Sequence, residues 1–349
     1  MLGDIPEPLL VALVAFGGGA LLGLAARMGR FCTLGAIEDL LYSGDSTRLR
    51  MWGLAIGVAG LAAFGLAGAG LFEMSRNVYW LAPWSPLGSV MGGLLFGYGM
   101  SIAGNCGLGA LARAGGGDLR AFVIVLVMGI SAYVMMSGPL AAMRVALTDA
   151  TSLSWQVRSY AGALASVTGL PVAAAGGALA LGIALLALAS GRFRANRRAV
   201  VWGGVAGLAV ASGWAVTSHV ATYGFAPQPV ISHTFSAPLG DTILYLMTAS
   251  SGVGIGFGIA SVLGVLAGAL AGSVALGQFR WEACDDPREL RRQILGAVCM
   301  GFGGVIAMGC SVGQGLSAFS VLSLSAPITL AAIFAGAALG LRQLITGFA

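Results

Sequence analysis

The 349-residue chain is 58% hydrophobic and 9% charged, against about 25% charged in an ordinary soluble domain. That composition excludes a soluble globular protein. Its repeated apolar stretches of roughly 20 residues match the ~30 Å hydrocarbon core, so the chain reads as an all-α integral membrane protein, not a barrel of ~10-residue alternating strands. The net charge of +5 comes wholly from arginine, because the chain contains no lysine. Those arginines gather at predicted helix ends, which fits membrane topology and leaves no nucleic-acid footprint. Five cysteines, an odd number without a Cys-x-x-Cys pair, suggest neither a disulfide framework nor a zinc site, and no cofactor is expected. The start, MLGDIPEP, lacks the basic region of a cleavable signal.

The first predicted helix runs from about Pro8 to Met28 and leads into GRFCTLGAIEDL, whose flanking Arg27, Arg30, Arg48 and Arg50 mark a cytoplasmic connection. A second helix, about Met51 to Phe72, precedes a loop in which Tyr79, Trp80 and Trp84 resemble an interfacial aromatic anchor on the outer side. The third, about Leu87 to Ala103, delivers Cys106, and the fourth covers about Ala121 to Ser137. The stretch from Gly138 to Leu170, with Trp155, reads as irregular or amphipathic and lies along the outer face. A fifth helix, about 171–190, ends at GRFRANRR, the strongest orientation marker in the chain. The sixth, about Ala199 to Ser218, opens onto an outer loop carrying His219 and His233, both expected at the interface. The seventh, about Thr242 to Leu276, is long enough to be tilted or broken, and it ends at a charged loop, RWEACDDPRELRR. The eighth, about Gln293 to Met308, delivers Cys310, and the ninth, about Ala326 to Leu341, finishes near Arg342.

Nine crossings with the N-terminus periplasmic and the C-terminus cytoplasmic satisfy the arginines, apart from Arg76, Arg144 and Arg158 on the outer side. Shifting the sequence by 204 residues lays Gly92–Gly109 over Gly296–Gly313 with seven identities in eighteen positions, Cys106 falling on Cys310. A second match, Gly23–Thr33 on Gly207–Thr217 at an offset of 184, pairs Cys32 with Val216. Five crossings separate the matched helices, so the copies run oppositely: one transmembrane domain over 1–349, with inverted repeats at about 8–137 and 199–341 and a linking helix at about 171–190. Inverted repeats with interrupted helices are a common transporter plan.

The segments after Cys106 and Cys310 can then form short re-entrant half-helices whose N-termini offer free N–H groups and partial positive charge to an anion. A neutral thiol is a weak donor and a polarizable acceptor, suited to a soft sulfur-bearing anion. Asn105, Gly107, Ser311 and Gln314 would line the same place, and Arg30 or Arg27 could draw the anion inward. The plainer account of a lone buried cysteine is a small hydrophobe, which serves for Cys299, while Cys284 reads as an exposed bystander. Glu38 and Asp39 read as a solvated helix end. No His or Lys stands near Cys106 or Cys310 in sequence to activate a nucleophile, so no catalytic residue is assigned.

GRFC (Gly29 to Cys32), GNCGLG (Gly104 to Gly109) and GCSVGQG (Gly309 to Gly315), in that order across both halves, resemble the YeeE/YedE family of bacterial inner-membrane proteins, whose members include thiosulfate importers. The resemblance spans essentially the whole chain. It implies thiosulfate uptake, with Cys310, Cys106 and Cys32 passing the anion inward by thiol hydrogen bonds, and a separate small cytoplasmic sulfur-carrier protein as partner. Alternatives are another sulfur or selenium compound as cargo, or a membrane thiol or persulfide-transfer enzyme.

Overall fold

The computed structural model describes residues 6–153, 157–224, 228–251, 254–284 and 286–347; Trp155 of the expected outer segment lies outside them. Long apolar helices alternate with short ones. The first half contains α1 (Glu7–Met28), α2 (Thr33–Glu38), α3 (Thr47–Gly68), α4 (Val78–Leu81), α5 (Pro86–Ala103), α6 (Gly107–Gly115) and α7 (Leu119–Met136). Next come α8 (Ala141–Thr151), α9 (Tyr160–Thr168), α10 (Val172–Leu188) and α11 (Gly191–Ala195). The second half contains α12 (Arg197–Tyr223), α13 (Ala237–Thr248), α14 (Phe257–Ala275), α15 (Pro287–Ile306), a π-helical stretch at Gly313–Ala318, and α16 (Ser325–Thr346).

Seven spans among the described residues are long and apolar enough to cross a bilayer, or eight if α9 and α10, bent by 116°, count as one. The 20-residue α15, expected as the eighth crossing, is not among them, because its first turns, PRELRR, are too charged; seven or eight spans thus stand against the nine expected. One expectation needs correction: much of Gly138 to Leu170, read as irregular or amphipathic, is helical, as α8 and α9. The long seventh helix is broken, as its length allowed, into α13 and α14, with Gly254 and Gly256 in the connection between them, glycine being a weak helix former.

Glycine decides which helices touch. A Cβ on Gly19 would collide with the Ser261 carbonyl, and one on Gly23 with that of Val265, so α1 and α14 run parallel with backbones in contact. Gly203 against Met51 and Gly207 against Ala55 do the same for α12 and α3, as do Gly93 against Thr329 and Gly97 against Ile333 for α5 and α16. Between α5 and α15 the contact is antiparallel and reciprocal. Gly99 faces the Gly296 carbonyl at 2.5 Å from an ideal Cβ and Gly296 faces that of Gly99 at 2.6 Å, while Gly92 and Gly303 repeat the arrangement at 2.8 and 2.6 Å. In a bilayer, where lipid is as apolar as leucine, such close approach of small residues is what holds helices together. α5 and α6 form one span, Pro86–Gly115, interrupted beside Cys106 near the middle of this packing.

Candidate functional site

One backbone device recurs at all three motif cysteines. Two positions before each stands a residue in the left-handed region: Arg30 (φ 57°), Gly104 (φ 76°) and Met308 (φ 57°). The turn it makes stops one helix and aims the next, and the cysteine lies at the N-terminus of that next helix. Cys32 is the N-cap of α2, its sulfur accepting the Gly35 N–H at 3.4 Å. Cys310 likewise accepts the Gly313 N–H at 3.4 Å. Cys106 is the N-cap of α6 but its sulfur makes no capping bond, so the first-turn N–H groups of that nine-residue helix have no side-chain cap.

The three thiols share this local geometry, and main-chain contacts bring two of them, Cys106 and Cys310, to either side of one segment. Cys106 and Cys310 are buried, each 1% exposed, and Cys32 is half-buried; all are free thiols. A short extended segment separates the two buried ones: the Phe235 N–H donates to the Cys310 sulfur at 3.3 Å, and the Phe235 carbonyl lies 2.9 Å from where a Cβ on Gly107 would stand. Thr234 places its hydroxyl 3.7 Å from the same sulfur. A side chain at Gly107 would therefore close the gap between the two cysteine loops.

Around the thiols several polar atoms are buried without a partner: Asn105 Oδ1, Ser311 Oγ and Thr33 Oγ1. Each belongs to a residue adjacent in sequence to a motif cysteine. Such atoms are costly to bury unless something else satisfies them. Gln314 is differently employed. Its amide donates to the Ala307 and Met308 carbonyls at 3.0 and 3.1 Å and accepts from Ser325 at 3.1 Å, which ties down the end of α15 where Met308 turns. Arg30 contributes its backbone to the turn while its side chain is exposed; the arginines that reach the electrostatic surroundings of Cys32 are Arg48 and Arg113. Arg48 is held by Asp39 at 3.1 Å.

Three residues stand elsewhere than the sequence suggested. His233 is fully buried, not interfacial: Nδ1 is 2.7 Å from the Ser261 hydroxyl and the ring lies against Phe257, because the segment leading to Phe235 is drawn into the bundle. His219 does remain exposed. Tyr79 and Trp80 face inward, Trp80 donating to the Val321 carbonyl at 3.1 Å, and with Arg158 and Ser323 they line a cavity of about 310 Å³. Val216, the expected counterpart of Cys32, is buried inside α12 and caps nothing. The residue at the N-cap position of the corresponding short helix, α13, is Ser236, whose hydroxyl makes no capping bond. The same offset of 204 that joins the two cysteine loops lays Phe31–Cys32 on Phe235–Ser236, and that was the signal in the sequence for the Phe235 segment.

No cluster of His, Cys, Asp or Glu suited to a metal occurs among the described residues. His233 holds Ser261 through Nδ1, and its Nε2 lies against Gly18. The arrangement thus brings together main-chain N–H donors, polarizable sulfur and the N-terminus of α6 around Cys106 and Cys310.

The family described as Sulphur transport matches residues 28–339. The chain belongs to that family. The transporter is 28% identical over 315 residues to the thiosulfate transporter TsuA of Escherichia coli (strain K12), covering 85% of this chain and 84% of that protein. It is 24% identical over 324 residues to the thiosulfate transporter TsuA of Spirochaeta thermophila, covering 90% and 93%. A shorter match, 29% over 122 residues, joins it to the probable transporter YedE of Salmonella typhimurium, over 34% of this chain and 28% of that one. A multi-pass membrane transporter of a sulfur compound is what these likenesses and the helices together give.

Proposed function

We propose that the transporter imports thiosulfate across a bacterial inner membrane, passing it from Cys310 to Cys106 to Cys32 by hydrogen bonds. The observation that carries this reading is the placement of buried Cys106, at an N-terminus of α6 that no side chain caps, across the Phe235 main chain from Cys310. Thiosulfate is a dianion with one soft sulfur end and three oxygens. The sulfur end suits the polarizable thiols, while the oxygens take the uncapped N–H groups of α6 and the hydroxyl of Ser311. Asn105 contributes its amide NH2 as a further donor, and Gly107 keeps the route open.

The N-terminus is periplasmic in this reading and the cavity beside Tyr79 is the outer mouth, with Cys32 toward the cytoplasm. The two halves are inverted repeats at about 8–137 and 199–341. Supporting that are the reciprocal glycine contacts of α5 and α15 and the matched parallel pairs α1 with α14 and α12 with α3. A small cytoplasmic sulfur carrier takes up the released anion. In this reading the thiols act as hydrogen-bonding groups, without covalent change.

Labelled thiosulfate uptake into proteoliposomes holding only this protein tests the reading. Uptake that external sulfate does not compete and Cys106→Ala abolishes supports it. Wild-type uptake by the alanine variant removes the thiol path, competition by selenium oxyanions at equal strength changes the cargo, and a sulfane adduct on any thiol by mass spectrometry favours persulfide chemistry instead.

A further inference from the structure

At the C-terminal end of α6 a cavity of about 250 Å³ is lined by Arg27, Arg113, Arg120, Asp118 and Glu282, with Gly116 at its turn. The carboxylates there are already spoken for. Arg120 reaches Asp118 at 3.4 Å and Glu282 and Glu289 at 3.6 Å each, Glu282 also takes Arg280, and Asp118 caps α7 through the Arg120 and Ala121 N–H groups. Arg27 and Arg113 form no salt bridge among the described residues. Arg27 is half-buried and fixed in aim: its Nε donates to Ser273 at 2.8 Å, and Ser273 in turn donates to the Ala269 carbonyl. Its Nη2 lies 2.8 Å from where a Cβ on Gly116 would stand, so glycine there leaves the guanidinium room. Arg113 stands two turns along α6 from Cys106.

Positive-inside topology explains arginines at this end of the bundle. It does not explain two of them facing one cavity while every neighbouring carboxylate turns to a third. The geometry points to a binding site for a divalent oxyanion, clasped by Arg27 and Arg113, where an anion leaving Cys106 and Cys32 next arrives; that position on the route rests on the import reading above. A guanidinium fork recognises charge and oxygen geometry, not sulfur softness. The site therefore accepts sulfate as readily as thiosulfate, although the thiol path selects against sulfate. Cytoplasmic sulfate occupies it, delays release and acts as a brake on import.

The test is equilibrium binding of radiolabelled sulfate to the purified full chain in neutral detergent. One saturable site is expected, weakened about tenfold or more in Arg27→Gln and Arg113→Gln, as for loss of one charge-assisted contact, and retained in Arg113→Lys, with unfolding temperatures matching the wild type. No saturable binding, or wild-type affinity in either glutamine variant, overturns the site. Binding that disappears when phosphatidylglycerol is added assigns the cavity to a lipid headgroup and also overturns it. In right-side-out vesicles, preloaded sulfate should slow thiosulfate uptake several-fold in the wild type and leave Arg113→Gln unslowed; unslowed wild-type uptake overturns the brake. Sulfate binding that depends on both arginines, in a protein that takes up no thiosulfate, would uphold the site and discard the import reading.

Discussion

The sulfur of Cys310 accepts a hydrogen bond from the main-chain N–H of Phe235, 3.3 Å away across 75 positions of sequence. That bond joins the second cysteine loop to a segment whose carbonyl touches Gly107, beside Cys106. One residue thereby sets the spacing of two thiols. Since the donor is backbone, a change at Phe235 acts through packing: the ring is fully buried, and Phe235→Ala should cost about 3–5 kcal/mol as a core cavity. Cys310→Ser keeps an acceptor for the N–H and should leave the unfolding temperature near wild type while lowering uptake. Equal uptake by Cys310→Ser and wild type would show that sulfur is not what the site reads.

Asn105 and Gln314 should separate cleanly. Gln314→Ala strips partners from two carbonyls and the Ser325 hydroxyl, and unsatisfied buried groups cost about 1–3 kcal/mol, so its first symptom is a lower unfolding temperature. Asn105 Oδ1 has no partner to lose. Asn105→Ala should therefore unfold close to wild type and show its effect as a raised KM for uptake. The reverse pattern, measured by thermal unfolding in detergent beside uptake kinetics, would exchange the two roles.

The left-handed turns give a backbone prediction. Gly104→Ala places a Cβ at φ 76°, a conformation costing an L-residue about 1–2 kcal/mol, with nothing else within 4 Å to obscure the effect. Met308→Gly relieves the same strain at its turn, and the greater freedom of glycine in the unfolded chain offsets about 0.5–1 kcal/mol of that gain. Thermal shifts of opposite sign, or a loss at 104 beside near-neutrality at 308, are expected. A stabilised Gly104→Ala would contradict the turn.

Glycines that look alike in the sequence should behave differently. Gly99→Ala drives a Cβ to 2.5 Å from the Gly296 carbonyl, whereas Gly17 and Gly65 have nothing within 4 Å. Backbone cannot yield as a side chain tip can, so Gly99→Ala should cost about 1–3 kcal/mol as overpacking. Gly17→Ala and Gly65→Ala should be neutral or stabilising by up to about 1 kcal/mol, since alanine is the better helix former. Unfolding midpoints for the three proteins decide it.

By itself the sequence determined what is local and periodic. Apolar runs of bilayer length, arginines at their ends and Cys-x-x-Gly after glycine-spaced segments made the helices, the short cysteine-led helices and the three thiols legible, because helix formation and capping depend on neighbours a few residues away. Only the tertiary structure decided which apolar face meets protein and which meets lipid, since both look equally hydrophobic in the chain. That is why Tyr79, Trp80 and His233 turn inward against expectation, why the 230–236 segment lies between the cysteine loops, and why Ser236, not Val216, holds the place corresponding to Cys32. It also left Arg27 and Arg113 facing one cavity while Arg120 gathered the carboxylates, a distinction among like charges that depends on distances across the fold and on nothing in the order of residues.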